Sequence, residues 1–381
     1  MGPEPEARCH LCGGSLYRFD SFGARLQVTS DCRPWQAGGR LAICETCATV
    51  QRPVDAAWSA EAEAIYAGYA IYDQSAGAEQ QVFDADGGRP RSSRIVEMLE
   101  PFLADAAVDV LDIGCGNGGF LRALSSRFPA SRLSGTEFDT RNRAAVLAIP
   151  GTVGFYTGGF EVVPGHFDLI SMIHVLEHIV DPVSFLRRAC QALKPGGKIL
   201  IQVPDRAANA FDVLIADHCT HFDLDSLRRC CRSAALEPAL LTGSVVPKEL
   251  TCIVTPTTVP VLGGDPPDPE AGRVAVTHQL AWLDRLAAHA REAASSAAAF
   301  GLFGSSISGT WLDAELGRSA AFFVDEDPSR IGRRWMGRPI LAPADVAAGA
   351  TVFVPLIPAA AARIAARLGG GAVRYEIPDT E

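Results

Sequence analysis

Apolar and polar positions change rhythm three times along the chain. The first 55 residues hold few long apolar periods. Ala57 to Ala67 then reads as a helix, and so does Ser92 to Phe102, with Ile95, Val96, Leu99 and Phe102 at helical spacing. From about residue 107 short apolar runs alternate with helical stretches. Val108 to Ile113, Arg132 to Glu137, Phe167 to Ile173 and Lys198 to Val203 read as buried strands, and Val183 to Leu193 as a helix. Lys194-Pro-Gly-Gly197 reads as a turn. A third stretch repeats the rhythm on a smaller scale. It has a helix from His278 to Ala299, a Gly/Ser-rich turn within Phe300 to Gly309, strands at Ala320 to Asp325 and Thr351 to Leu356, and a final Ala-rich helix.

This pattern predicts an α/β, mainly parallel architecture. Residues 1–55 form a small leading module and 56–106 a helical connecting segment, whose Tyr66, Tyr69 and Tyr72 read either as an aromatic packing patch or as a substrate wall. Residues 107–250 form one Rossmann-like domain and 266–381 a second, smaller one, with Pro256 to Pro269 marking the linker. The composition is globular, with 48% apolar residues in 381. Thirty-four Lys and Arg face 44 Asp and Glu, giving a net charge of −10. That balance argues against a nucleic-acid binder held by phosphate contacts. The opening MGPEPEARCH is neither basic nor apolar, and Val352 to Leu368 is broken by Pro355, Pro358, Arg363 and Arg367. The expectation is a cytoplasmic protein without a membrane partner.

Eleven cysteines are present, and four of them form two CxxC pairs, Cys9/Cys12 and Cys44/Cys47, with 31 residues between. A module this small needs a staple, and four thiolates make a closed tetrahedral zinc site. We expect structural zinc on these four. Redox-active pairs or unligated thiols are the alternatives. His10 reads as a bystander.

The run Val110-Leu-Asp-Ile-Gly-Cys-Gly-Asn-Gly-Gly119 ends a strand in Asp112 and opens a helix through a glycine loop. Gly114, Gly116 and Gly118 are not spaced as in a dinucleotide fingerprint. The DxGCGxG loop resembles that of class I S-adenosylmethionine methyltransferases over roughly residues 95–245. The resemblance implies that Asp112, Gly114, Gly116, Asn117 and Gly118 hold the methionine end. It assigns the ribose to Glu137, the border of the adenine to Gly159 and Phe160, and the neighbouring motif position to His174.

After the fifth strand comes Asp217-His-Cys-Thr-His-Phe-Asp-Leu-Asp-Ser-Leu227, with two histidines among acids. Histidine is the side chain suited to proton transfer near neutral pH. The order of cysteine pairs, a tyrosine-rich link (Tyr66, Tyr69, Tyr72), the cofactor domain and a second Rossmann-like domain resembles the bacterial sugar C-methyltransferases. That family acts on nucleotide-linked keto-deoxysugars. Asp217 to Leu227 aligns with its EHLSYFSxxSL motif, Tyr69 to Ser75 with its YxYxSS segment, and Phe300 to Leu312 and Asp325 to Ile340 with its C-terminal motifs. The resemblance implies His218 as base, Asp217 as its support, and Tyr72 or His221 as donor to an enolate oxygen. Asp217 stands for the family's Glu and His221 for its Tyr. The methylated atom therefore stays open between carbon and oxygen. The competing readings are an O-methyltransferase on a sugar or other small acceptor and a non-catalytic cofactor-binding protein. The cluster Arg330, Arg333, Arg334 and Arg338 reads either as a solvated face or as a diphosphate clamp.

Overall fold

The computed structural model describes residues 7–70, 75, 77–84, 87–103, 107–258 and 267–378. Two doubly wound sheets and a small leading module share the chain. The leading module pairs Leu16–Arg18, Ala42–Cys44 and Val50–Gln51 antiparallel. Its fourth strand comes from far along the chain, because Thr220–His221 pairs with Val50–Gln51. The helix Ala56–Ala67 follows, started by the Asp55 side chain accepting from the Trp58 amide and burying Trp58, Ala62 and Ile65.

The larger sheet contains β1 (Asp109–Ile113), β2 (Arg132–Glu137), β3 (Thr152–Thr157), β4 (Phe167–Ile173), β5 (Leu193–Pro204), β6 (Leu236–Thr242) and β7 (Glu249–Pro256). Its order is β3-β2-β1-β4-β5-β7-β6, with β7 antiparallel to both its neighbours. Alternate side chains feed opposite faces. Val110, Leu169 and Leu200 pack beneath Ile95, Leu99, Leu121 and Leu124. Leu111, Ile170 and Ile201 pack against Val183, Leu186 and Leu227. This is the expected Rossmann-like α/β fold, with helices on both faces of the sheet. The strand order reverses between β1 and β4, and ligands bind such folds in the crevice outside the carboxyl ends at that point.

The second sheet contains β8 (Phe300–Phe303), β9 (Phe322–Val324), β10 (Arg334–Trp335), β11 (Arg338–Leu341), β12 (Thr351–Phe353) and β13 (Arg374–Glu376), ordered β10-β11-β9-β8-β12-β13. A 28-residue helix, Pro269–Ser296, leads into it. Its buried stripe of Val276, Leu280, Leu283, Leu286 and Ala290 joins one apolar core. That core reaches from Phe22, Val28 and Ile43 of the leading module to Trp311 and Phe353 of the second sheet.

Some boundaries differ from the pattern. The long helix begins at Pro269, because Asp268 caps it by accepting from the Ala271 amide. Lys194 to Gly197 lies within β5, where the register against β4 shifts. His289 of the long helix is half-buried with its ring edge-on to Phe353. Among the described residues no helix is long and apolar enough to cross a membrane.

Candidate active site

The loop after β1 needs glycine at three positions, since Gly114, Gly116 and Gly118 have φ of +67°, +53° and +80°. The helix Gly119–Arg127 opens directly from it. Asp112, at the end of β1, is buried and accepts from Ser171 Oγ at 2.7 Å. Burial raises its pKa to about 7. Among the described residues it has no ion pair, so a cationic ammonium is the complement it lacks. Glu137, at the end of β2, accepts from the Gly116 amide at 2.5 Å and the Phe138 amide at 3.1 Å, and burial raises its pKa as well. Two acids at the mouth of a glycine loop fit the methionine end and the ribose of S-adenosylmethionine. Asn117 Nδ2 donates to the Gly77 carbonyl at 2.5 Å and ties the connecting segment to the loop.

The other cofactor assignments fare differently. Gly158 and Gly159 follow β3, and a side chain at Gly158 would meet open space. Phe160 turns into the core, edge-on to Phe185 with ring centroids 5.3 Å apart, so it does not offer its face to the crevice. His174 takes a positive φ of +53° at the end of β4. Its Nδ1 is 3.1 Å from Glu177 Oε1, and its Nε2 is 2.7 Å from Arg91 Nη1 and 3.2 Å from Glu249 Oε2. Burial disfavours a charge on this ring, and Glu249 outweighs it, raising the pKa to about 9. His174 belongs to a polar network beneath the crevice that also takes in Gln202 and Thr251.

The histidine segment forms a second wall. His218 and His221 are both buried and share one carboxylate, Asp212. His218 Nδ1 lies 3.0 Å from Asp212 Oδ1, and His221 Nδ1 lies 2.7 Å from Asp212 Oδ2. The expected support of His218 by Asp217 is corrected here. Asp217 accepts from the Ser30 amide at 2.8 Å and Ser30 Oγ at 2.5 Å, and its Oδ2 is 3.6 Å from His178 Nδ1. Asp217 lies in the turn after Ile215 and faces Ser30, so the adjacent acid is spent there while one six residues back reaches the ring.

Burial opposes charge throughout this cluster, and the partners decide the outcome. Asp212 is held far below the usual carboxylate range by the two imidazoles. His218 is raised above its ordinary value because Asp212 outweighs burial. His221 is pushed down to about 4 by burial. His178 stands edge-on to His218, with ring centroids 4.7 Å apart, and is lowered by burial and by His218. Its Nδ1 donates to the Asp217 carbonyl at 2.9 Å and lies 3.0 Å from Tyr66 Oη. Tyr66 stacks on the exposed Phe138, 5.9 Å between centroids, which joins this wall to Glu137, the residue before it. Tyr72 lies outside the described residues. Asp212 was not selected by the sequence, and its spacing before the histidines was its one signal; Tyr66 stood out in the tyrosine-rich link and His178 in the HxxEH run, each without an assigned catalytic role.

The four module cysteines converge. Cys9 Sγ lies 3.5 Å from Cys47 Sγ and Cys12 Sγ 3.4 Å from Cys44 Sγ, with all four sulfurs within 4.8 Å of one another. A zinc–sulfur bond of about 2.3 Å places tetrahedral sulfurs at about this spacing. The amides of Thr46 and Cys47 point at Cys44 Sγ, at 3.3 and 3.4 Å. These residues fit a zinc ion. His10 is not among them, and its Nδ1 is 3.0 Å from Thr220 Oγ1. The Arg cluster is no open clamp. Arg330 pairs with Asp325 and Asp327, and Arg338 with Asp313.

Residues 87–239 match the family described as a methyltransferase domain. This stretch is a methyltransferase domain. It covers the glycine loop, both crevice acids and the histidine segment. Over 157 residues the domain is 32% identical to a ubiquinone biosynthesis O-methyltransferase of Methylobacterium nodulans, covering 39% of this chain and 62% of that protein. It is 31% identical over 137 residues to a malonyl-[acyl-carrier protein] O-methyltransferase of Haemophilus ducreyi, covering 34% of this chain and 50% of that one. The chain spans 64% of the length of the similar ubiquinone biosynthesis O-methyltransferase from Xanthomonas oryzae, at 27% identity. Among solved structures, mitomycin 7-O-methyltransferase MmcR aligns with a TM-score of 0.37 and 17% identity, over 44% of this chain and 53% of that one. The cysteine module and the second sheet lie outside the matched domain.

Proposed function

We propose that the protein is an S-adenosylmethionine-dependent methyltransferase acting on a small acceptor, with His218 as the general base. The observation that carries this reading is the His218–Asp212 pair buried beside the crevice of the methyltransferase domain. Asp112 and the glycine loop would hold the methionine end, and Glu137 the ribose. When bound, S-adenosylmethionine supplies an already electrophilic methyl group. The protein's task is then to position the acceptor and remove its proton. Asp212 keeps Nδ1–H of His218 engaged and leaves Nε2 as the acceptor of that proton. Its charge stabilises the imidazolium that forms, the role an acid plays behind a catalytic histidine.

The preferred acceptor is a nucleotide-linked keto-deoxysugar, methylated on the carbon beside its ketone through an enolate. Tyr66, whose hydroxyl lies in the same wall as His178, is the described phenol suited to the enolate oxygen. Tyr72, from the tyrosine-rich link, is the second candidate. A cleft of about 530 Å³ lined by Ala208, Ala210, His278, Trp282, Arg285 and Pro358 adjoins the segment that carries Asp212, and has room for part of a large acceptor. Cys9, Cys12, Cys44 and Cys47 hold structural zinc in this reading. O-methylation is the second reading, and the O-methyltransferase names of the relatives favour it. The same pair would then deprotonate a hydroxyl.

The test is incubation with carbon-13-methyl S-adenosylmethionine and a panel of nucleotide-linked 4-keto sugars, with NMR of the product. A carbon-bound methyl is expected. An oxygen-bound methyl would discard the enolate route in favour of the second reading. No transfer to any panel member would discard the acceptor class.

A further inference from the structure

The segment that carries Asp212, His218 and His221 is bonded to its own domain, where the Cys219 amide donates to the Glu177 carbonyl at 2.9 Å, and also to the leading cysteine module. The Ala216 amide donates to the Val28 carbonyl at 2.8 Å, and the Arg52 amide to the Cys219 carbonyl at 2.9 Å. Ser30 holds Asp217 from amide and hydroxyl. Trp58 Nε1 donates to the Ala216 carbonyl at 3.1 Å. Thr220 and His221 complete the module's sheet, and His10, inside the first cysteine knuckle, bonds Thr220.

Arg52 is the centre of this attachment. It is 1% exposed, with its guanidinium 5.1 Å above the Phe22 ring. Nη2 donates to the Val213 and Ile215 carbonyls at 2.9 and 3.0 Å, Nε to Ile215 at 3.2 Å, and Nη1 to the Arg40 carbonyl at 3.3 Å. Among the described residues no carboxylate pairs with it directly. A buried guanidinium spent on carbonyls is costly unless those carbonyls must be fixed. Val213 and Ile215 lie between Asp212 and His218, so the turn it fixes is the one that brings this acid and this base together. Arg52 itself sits five residues after Cys47, next to the strand that starts from the second knuckle.

We propose that the cysteine module is a working part of the catalytic site: Arg52 is a positioning residue for the Asp212–His218–His221 cluster, and metal on the four cysteines holds Arg52 in place. Loss of that metal releases the histidine segment and leaves the crevice for S-adenosylmethionine intact. Metal content therefore gates methyl transfer without gating cofactor binding. The inference rests on the zinc and methyltransferase readings above, and its test separates from them.

The full chain is labelled with nitrogen-15 histidine. The imidazole resonances of His218 and His221 are assigned from the single variants His218→Gln and His221→Gln. They are then compared in four samples: metal-loaded wild type, chelator-treated wild type, Arg52→Met and Arg52→Lys. S-adenosylmethionine affinity and metal content are measured on each. Chelation and Arg52→Met should shift or broaden both signals, with cofactor affinity within about three-fold of wild type. Arg52→Lys, which keeps one buried donor, should restore them in part. Preserved signals in the chelated and Arg52→Met samples, with cofactor still bound, would overturn the proposal. Loss of cofactor binding together with the signals would also overturn it, by making the module a general support. If purified protein carries no metal while its histidine signals are sharp, the zinc reading and the gating fail together, and Arg52→Met alone decides the positioning claim. Absence of cofactor binding by the wild type would count against the methyltransferase reading and leave the histidine comparison standing.

Discussion

The two sheets of this chain share a strand-loop-helix plan and treat the loop in opposite ways. In the larger sheet, the loop after β1 meets Asp112 and Glu137, whose pKa values are both raised by burial. In the smaller sheet, the loop after β8 meets Asp325, at the end of β9. There the acid is spent internally. Asp325 Oδ2 accepts from the Ser305 amide at 3.1 Å and Ser305 Oγ at 2.8 Å, and Arg330 Nη1 lies 3.3 Å away. Arg330 also donates to the Ser305 carbonyl at 3.1 Å. A Cβ at Gly309 would run into the Gly304 carbonyl, so helix and loop close on each other. Among the described residues the acids of one loop have no cationic partner in an ion pair, while the acid of the other is neutralised by Arg330. The same fold plan builds a ligand site in one case and a brace in the other, and side-chain charge decides which.

That contrast predicts where substitutions will hurt. The largest effect belongs to His218, the proposed base. His218→Ala should lower turnover by about 10³-fold, since general-base catalysis contributes on the order of 10² to 10⁴, with cofactor affinity nearly unchanged. Steady-state kinetics beside calorimetry would check both halves. Next, Asp112→Asn should weaken S-adenosylmethionine by about ten- to a hundredfold, about 1.4–2.7 kcal/mol, by calorimetric titration. The matching change in the other loop, Asp325→Asn, should leave that affinity alone. A comparable loss from both would erase the distinction.

A smaller effect sharpens the chemistry at His218. His218 must be neutral to take a proton, so kcat/KM should rise with pH through its raised pKa. Glu177 and Asp217 contribute to that rise, but Asp212 contributes most. Asp212→Asn removes the negative charge that favours the imidazolium, so the rising limb should move to lower pH while the plateau falls. A limb that stays in place would mean another group titrates. Smallest is the cost to the brace. Asp325→Asn leaves Arg330 with Asp327 alone, and should cost about 2 kcal/mol of stability, within the range for a damaged buried charge pair, read by denaturant unfolding.

Much of the larger sheet was legible because its strands are buried runs of five to seven residues punctuated by glycine turns. The crevice acids were legible for the same reason, since strand ends locate them. β6 and β7 were not read. Both pair antiparallel at one edge, where polar residues such as Glu237 and Thr242 interrupt the apolar pattern. The histidine segment was legible as chemistry but not as geometry. Asp217 is adjacent to His218 in sequence and turned away in space, while Asp212 reaches it through the turn Ala210–Leu214. The attachment to the leading module was also hidden. It rests on a two-residue strand pair and on carbonyl groups, and neither leaves a mark on side-chain patterning.

The most direct measurement of this account is a calorimetric titration of S-adenosylmethionine into the full chain, repeated on Asp112→Asn and Asp325→Asn. The account predicts one molecule bound per chain in the wild type, binding weakened by Asp112→Asn, and binding unchanged by Asp325→Asn. No binding by the wild type, or binding that Asp325→Asn removes while Asp112→Asn spares it, would contradict it.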